Sequence, residues 1–185
     1  ETIYNTMVLN KVTYVGGKLY EKYIDNPCNY WRSIRLKQNW GEKNILNPPF
    51  IFGCNNILDT SNLNLANAFK NDGIYYMLNG EDTEFCKFLK KKNFNLFYDN
   101  SAECFHLQND NYKTLAERYW RYVFYGDGMK KRNLFKTLKN KVRQIKKTFI
   151  WLLEDLVKFK LSLIKVDIML LYHLIKIDIK KYREN

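Results

Sequence analysis

With 185 residues, 46% of them hydrophobic and 16% aromatic, the chain can bury one core but is too short for two ordinary enzyme domains side by side. That composition excludes a disordered or collagen-like polymer. The net charge of +12 is uneven: up to Gly128 there are 15 basic and 14 acidic residues, and from Met129 onward 16 and 5. A near-neutral working part, 1–128, is therefore expected to carry a basic tail, 129–185, suited to an anionic surface.

In chain order, 6–20 read as a helix end and then a β-branched run broken by Gly16 and Gly17 and resumed as a strand. All three prolines, with Trp31 and Trp40, fall in 27–50, which predicts a loop-rich excursion around a short helix. Phe50–Asp59 looks like a buried strand interrupted by a turn, and 61–69 could open a helix from a Ser cap. Glu81, Asp82 and Glu84 precede Phe85, Phe88 and Leu89 and end in Lys90–Lys92, so acids and bases match the two ends of a helix dipole. Two short strands should follow, 95–98 and 102–106. From Lys130 to Asn185 there is neither Gly nor Pro, which predicts two or three long helices.

The cysteines, Cys28, Cys54, Cys86 and Cys104, stand far apart with no paired spacing, so buried free thiols are expected and not a zinc site or a disulfide framework. No Asn-x-Ser/Thr acceptor occurs.

Several segments form an ordered series: Tyr14–Tyr20 (YVGGKLY), Phe52–Asn56 (FGCNN), Gly80–Lys92 (GEDTEFCKFLKKK), Phe97–Leu107 (FYDNSAECFHL) and Arg118–Tyr122 (RYWRY). Together they resemble the second half of a family 2 glycosyltransferase of the GT-A fold, over about residues 8 to 128. The fold this implies is α/β, a partial GT-A-like mixed sheet with flanking helices, followed by the long basic α-helical tail. The activity implied is inverting transfer of a sugar from a nucleotide-sugar donor to a glycan or glycolipid acceptor.

Inverting transfer needs an ionised carboxylate in a cleft to take the acceptor's proton, and a helix N-terminus favours such an anion. The resemblance assigns that role to Asp82, with Glu81 orienting it or the acceptor; the alternative is a plain helix-dipole partner. It makes His106 a ligand of a divalent metal, Mg or Mn, that bridges the diphosphate, with its imidazole on the same side of the sheet as Asp82 and facing one shared cleft, where an isolated strand-end His would simply bond to backbone. Arg118, Trp120 and Arg121 match a basic-aromatic element near the diphosphate and acceptor channel, or else an amphipathic helix with solvated arginines. Leu115 and Tyr119 depart from the processive form of that element. Gly53, Asn55 and Asn56 match the turn beneath donor and acceptor sugars, and would serve equally as ordinary turn residues.

No two aspartates stand two apart, so the Asp-x-Asp half that would complete the metal and nucleotide site is absent from this sequence. That half is expected on the same or another chain. The nine basic residues of 130–147, with Leu134, Leu138, Val142, Ile145 and Phe149 interleaved, predict an amphipathic helix on an anionic membrane surface, hence a cytoplasmic protein peripheral to the inner face, the alternative being a basic helix packed on the domain with its lysines solvated. No module for specific nucleic-acid recognition is discernible. The alternatives are an inactive transferase remnant and a membrane- or nucleic-acid-binding scaffold.

Overall fold

The computed structural model describes residues 1–63, 80–125 and 134–176. It is mixed α/β, with a four-stranded mixed sheet and six helices among the described residues. The helix expected over 61–69 lies, from residue 64 on, outside them. Two compact units form: Glu1–Lys22 with Leu36–Leu107, and Tyr23–Arg35 with Gln108–Asn185. The packing therefore does not divide the chain near residue 128, because segments 23–35 and 108–125 join the tail helices.

The first unit contains α1 (Thr2–Asn10), β1 (Tyr14–Glu21), β2 (Ile45–Leu46), β3 (Asn56–Leu58), α3 (Glu81–Lys91) and β4 (Leu96–His106). The strand order is β2-β4-β1-β3, with β1 and β4 parallel and both outer strands antiparallel to their neighbours. One face packs on α3 through Tyr14, Ile51, Phe85, Cys86, Leu89, Leu96 and Tyr98. The other meets α1, where the Thr6 hydroxyl donates to Asp99.

Three sequence expectations are corrected here. Gly16 and Gly17 do not break the strand but lie inside it, where a Cβ on Gly16 would sit 2.1 Å from Ile51 Cγ2 and one on Gly17 2.1 Å from the Ala102 carbonyl oxygen. The two short strands are one, β4, because the chain stays paired with β1 across a bulge: Gly17 pairs with Asp99 and the next residue, Lys18, with Glu103. The strand expected in 50–59 shrinks to Asn56–Leu58, since Ile51 is buried and donates its N–H to Cys86 Sγ at 3.2 Å instead of to a strand. The cysteines are all free, as expected, yet only Cys28 and Cys86 are buried.

The second unit contains α2 (Pro27–Arg35), α4 (Tyr112–Tyr125), α5 (Leu134–Val157) and α6 (Leu161–Lys176). Asn26 caps α2 by accepting the Asn29 N–H at 2.9 Å, and Pro27 follows where a missing N–H costs nothing. Trp31 is fully buried, edge-on to Tyr119 and Trp151, and donates Nε1–H to Asp167 at 2.6 Å. No described helix is long and apolar enough to cross a membrane.

Asp155 of α5 and Asp167 of α6 are both fully buried. Arg35 binds Asp155 at 3.0 Å, while Asp167 is pushed up to about 7, first by burial and also by Asp155, against the pull of the Trp31 N–H. A hydrogen bond between the two carboxyls requires a proton on one of them.

Two outcomes follow from this packing. Gly17→Ala should lower unfolding stability by about 2 to 3 kcal/mol in urea denaturation, since the added methyl meets a backbone carbonyl that cannot turn aside. Asp167 contributes stability that is complete below its unfolded pKa of about 3.9 and lost as pH rises through about 7. Asp167→Asn keeps an acceptor for Trp31 and should reduce the difference in denaturation midpoint between pH 5 and pH 8.

Candidate active site

Asp82 stands in the first turn of α3, half-buried, behind Gly80, whose φ of +85° suits glycine at this cap. Its Oδ1 accepts the Thr83 N–H at 2.7 Å, and the Gly53 N–H donates to the same carboxylate. Gly53 is exposed and its Cβ position lies 3.8 Å from Asp82 Cβ, so even there a methyl would only touch it. Burial is the largest influence on the carboxyl and pushes its pKa up, the Glu81 charge adds to this, and the two N–H groups pull it back. The loop that brings Gly53 here is held by Ile51 on Cys86 and by Trp40, which donates Nε1–H to the Phe50 carbonyl at 2.8 Å and packs against Phe50 and Phe52. Glu81 is exposed beside Asp82.

Asn55 and Asn56 turn inward. Asn55, at φ +54°, donates Nδ2–H to the Ala102 carbonyl at 2.7 Å and accepts the Gly17 N–H on its own carbonyl at 2.9 Å. Asn56 donates to the Phe52 carbonyl at 3.2 Å. Both side-chain amides close the fold around the bulge and the 52–55 turn.

His106 ends β4 opposite Glu21 of β1, and its Nδ1 lies 3.1 Å from the Glu21 carboxylate. Alternation along β1 turns Tyr14 and Gly16 toward α3 and Gly17 and Glu21 away from it. The Glu21–His106 pair thus belongs to the face opposite Asp82, which corrects the expectation of one cleft shared by the two. A carboxylate behind Nδ1 is how ligating imidazoles are commonly oriented, with Nε2 left for a metal. It is a single nitrogen, whereas Mg or Mn takes mainly oxygen donors, and no cluster of three or more His, Cys, Asp or Glu able to hold a metal occurs among the described residues.

Arg118, Trp120 and Arg121 lie on α4, in the second unit. Arg118 is turned onto Asp110, Nε to Oδ2 at 3.3 Å, and Arg32 binds the same carboxylate and the Gln108 carbonyl. Trp120 is buried and Arg121 exposed. Asp110 is therefore a buried anion shared by two arginines, and its N–H is taken by Asn29 Oδ1 at 2.7 Å. Beside it a cleft of about 330 Å³ opens, lined by Asn26, Pro27, Cys28, Asn109, Asp110 and Tyr112. Sequence reasoning missed Glu21, Arg32 and Asp110; the Asn-Pro step at 26–27 was the one local signal near them.

No protein-family model matches the chain, and no curated protein or solved structure is similar to it.

Because the Asp82 pKa is raised in the fold, its share of stability is present at low pH and lost as pH rises through the raised value. Carbon-detected NMR titration should give Asp82 a midpoint above the ordinary aspartate value. A midpoint at or below about 3.9 would contradict the burial described here.

Proposed function

We propose that this chain supplies the acceptor-side part of an inverting glycosyltransferase that moves a sugar from a nucleotide-sugar donor to a glycan. The observation that carries the reading is Asp82: a carboxylate with a raised pKa at the amino end of α3, reachable beside exposed Gly53. A base of that kind takes a hydroxyl proton more readily than a fully solvated aspartate. In the reaction the acceptor oxygen attacks the anomeric carbon, the bond from that carbon to the diphosphate breaks, the acceptor proton passes to Asp82, and the nucleoside diphosphate leaves. Because attack comes from the face opposite the leaving group, configuration inverts. Gly53 and Thr83 hold the carboxylate by their N–H groups, and Glu81 adds negative charge that keeps Asp82 basic.

This reading makes the sheet a partial GT-A fold whose nucleotide-binding half lies on another segment or chain. Mg or Mn would neutralise the leaving diphosphate when bound, and its ligands would have to come from the donor-binding half, because His106 stands with Glu21 on the face opposite Asp82. Arg118 would have to leave Asp110 to meet a phosphate, so Arg121 is the better-presented cation of α4.

A second reading, an inactive transferase remnant that keeps the scaffold, is favoured by one observation: Asn55, Asn56 and Arg118 are all engaged inside the fold. The test separates the two. Glycan acceptors titrated into the labelled chain should shift the amides of Gly53, Asp82 and Thr83, and in a form joined to the donor-binding half Asp82→Asn should cut turnover about 10²- to 10⁴-fold with donor affinity nearly unchanged. Unshifted amides and no turnover in the joined form would leave the remnant reading standing, whereas undiminished turnover by Asp82→Asn would show that another carboxylate is the base.

A further inference from the structure

Helix α5 has one side in the second unit's core, through Thr148, Trp151 and Asp155, which are buried. On the other side Leu138, Val142, Phe149, Leu153 and Leu156 are each between 45% and 60% exposed. Steps of four, seven, four and three residues align them in one stripe, about 27 Å long at 1.5 Å per residue. Lys139, Arg143 and Lys146 are exposed along one border of that stripe. No acidic residue occurs between Gly128 and Leu153. At the carboxyl end the turn into α6 presents Val157, Phe159 and Leu161, all more than three-quarters exposed, with Phe159 at φ +51°, a conformation that bulky side chains rarely adopt.

We infer that this face of α5 lies on an anionic lipid surface, its apolar stripe at the level of the acyl boundary and Lys139, Arg143 and Lys146 among the headgroups. Charge and apolarity together select that partner. A polyanion such as nucleic acid would satisfy the cations but leave the stripe in water. A second copy of the chain in a two-fold contact would set the same cationic border against itself. A zwitterionic or neutral apolar surface would leave the concentration of positive charge without a counterpart. An interfacial helix uses both features at once, and α5 is not apolar enough to cross the bilayer. This inference does not depend on the glycosyltransferase reading.

The full chain is sedimented with vesicles of phosphatidylcholine alone or mixed with phosphatidylglycerol, in ~0.1 M and ~1 M salt, where the Debye length falls from about 10 to about 3 Å. Binding should be at least about tenfold stronger to the anionic vesicles at low salt and should collapse at high salt. The triple variant Lys139→Gln, Arg143→Gln, Lys146→Gln should lose about tenfold or more in partitioning. Leu138→Ser, Val142→Ser, Leu153→Ser should lose binding too, with an unchanged melting curve, since these side chains face away from the core. Hydrogen exchange on the unmodified chain should slow over 138–156 when anionic vesicles are added. Protein left in the supernatant under every condition overturns the inference, as does undiminished vesicle binding by the apolar variant. So does a dimer in sedimentation equilibrium that the apolar variant dissolves, because the stripe would then be covered by a second chain.

Discussion

The absence of a side chain at Gly16 and Gly17 is the constraint on which the first unit depends. β1 is a central strand, paired on both sides, and at Gly17 the space a Cβ would fill is taken by the Ala102 carbonyl and the Asn55 amide. Those two groups hydrogen-bond to each other, so the bulge that carries β4 from Asp99 to Glu103 is bridged by a polar contact. The same Asn55 accepts the Gly17 N–H and so fixes the start of β3. With Ile51 seated over Gly16 and bonded to Cys86, the 50–55 loop is pinned at both ends, and Gly53 is held where its N–H meets Asp82. The environment of Asp82 thus traces back to two residues chosen for what they lack.

The second unit is organised differently, around buried carboxylates. Asp110, Asp155 and Asp167 are all nearly inaccessible, and each is met from α2: Arg32 on Asp110, Arg35 on Asp155, Trp31 on Asp167. Paired in this way, the charges fix how the helices meet, because withdrawing one partner would leave an uncompensated buried ion, at a cost of about 3 to 5 kcal/mol. Asp167 is the exception, met by a neutral indole N–H, and burial pushes its pKa up to about 7. A nine-residue helix set in the middle of the sequence therefore belongs, energetically, with the tail.

Which features could be read from the amino acids follows from how local their causes are. α3 was legible to its ends, since its acids, apolar triplet and lysines lie within one helix. The continuity of β1 through two glycines was not, because the reason sits 35 and 85 residues away in Ile51 and Ala102. Asp82 was found where its helix begins, whereas the inward turn of Asn55 and Asn56 and the capture of Arg118 by Asp110 depend on partners distant in sequence. Glu21 escaped notice for the same reason: only the parallel register of β1 with β4 sets it against His106. Charge changes at residue 129, while packing changes where α2 and α4 join the tail helices.

The tail shows how one sequence pattern can serve two faces. Interleaved leucines and lysines at spacings of three and four were compatible with a helix packed on the protein or with one lying on a surface. In the structure the two faces carry different residues: Thr148, Trp151 and Asp155 inward, and Leu138, Val142, Phe149 and Leu153 outward. The inward set is small, aromatic and polar, and is held by specific bonds, Tyr119 to Thr148 at 3.0 Å and Arg35 to Asp155 at 3.0 Å. The outward set is aliphatic and aromatic with no such bonds, so its energetics are those of area alone, about 25 cal/mol for each Å² removed from water. An amphipathic helix that spends its hydrogen bonds on one side and its apolar area on the other has a core face that does not compete with whatever covers the second.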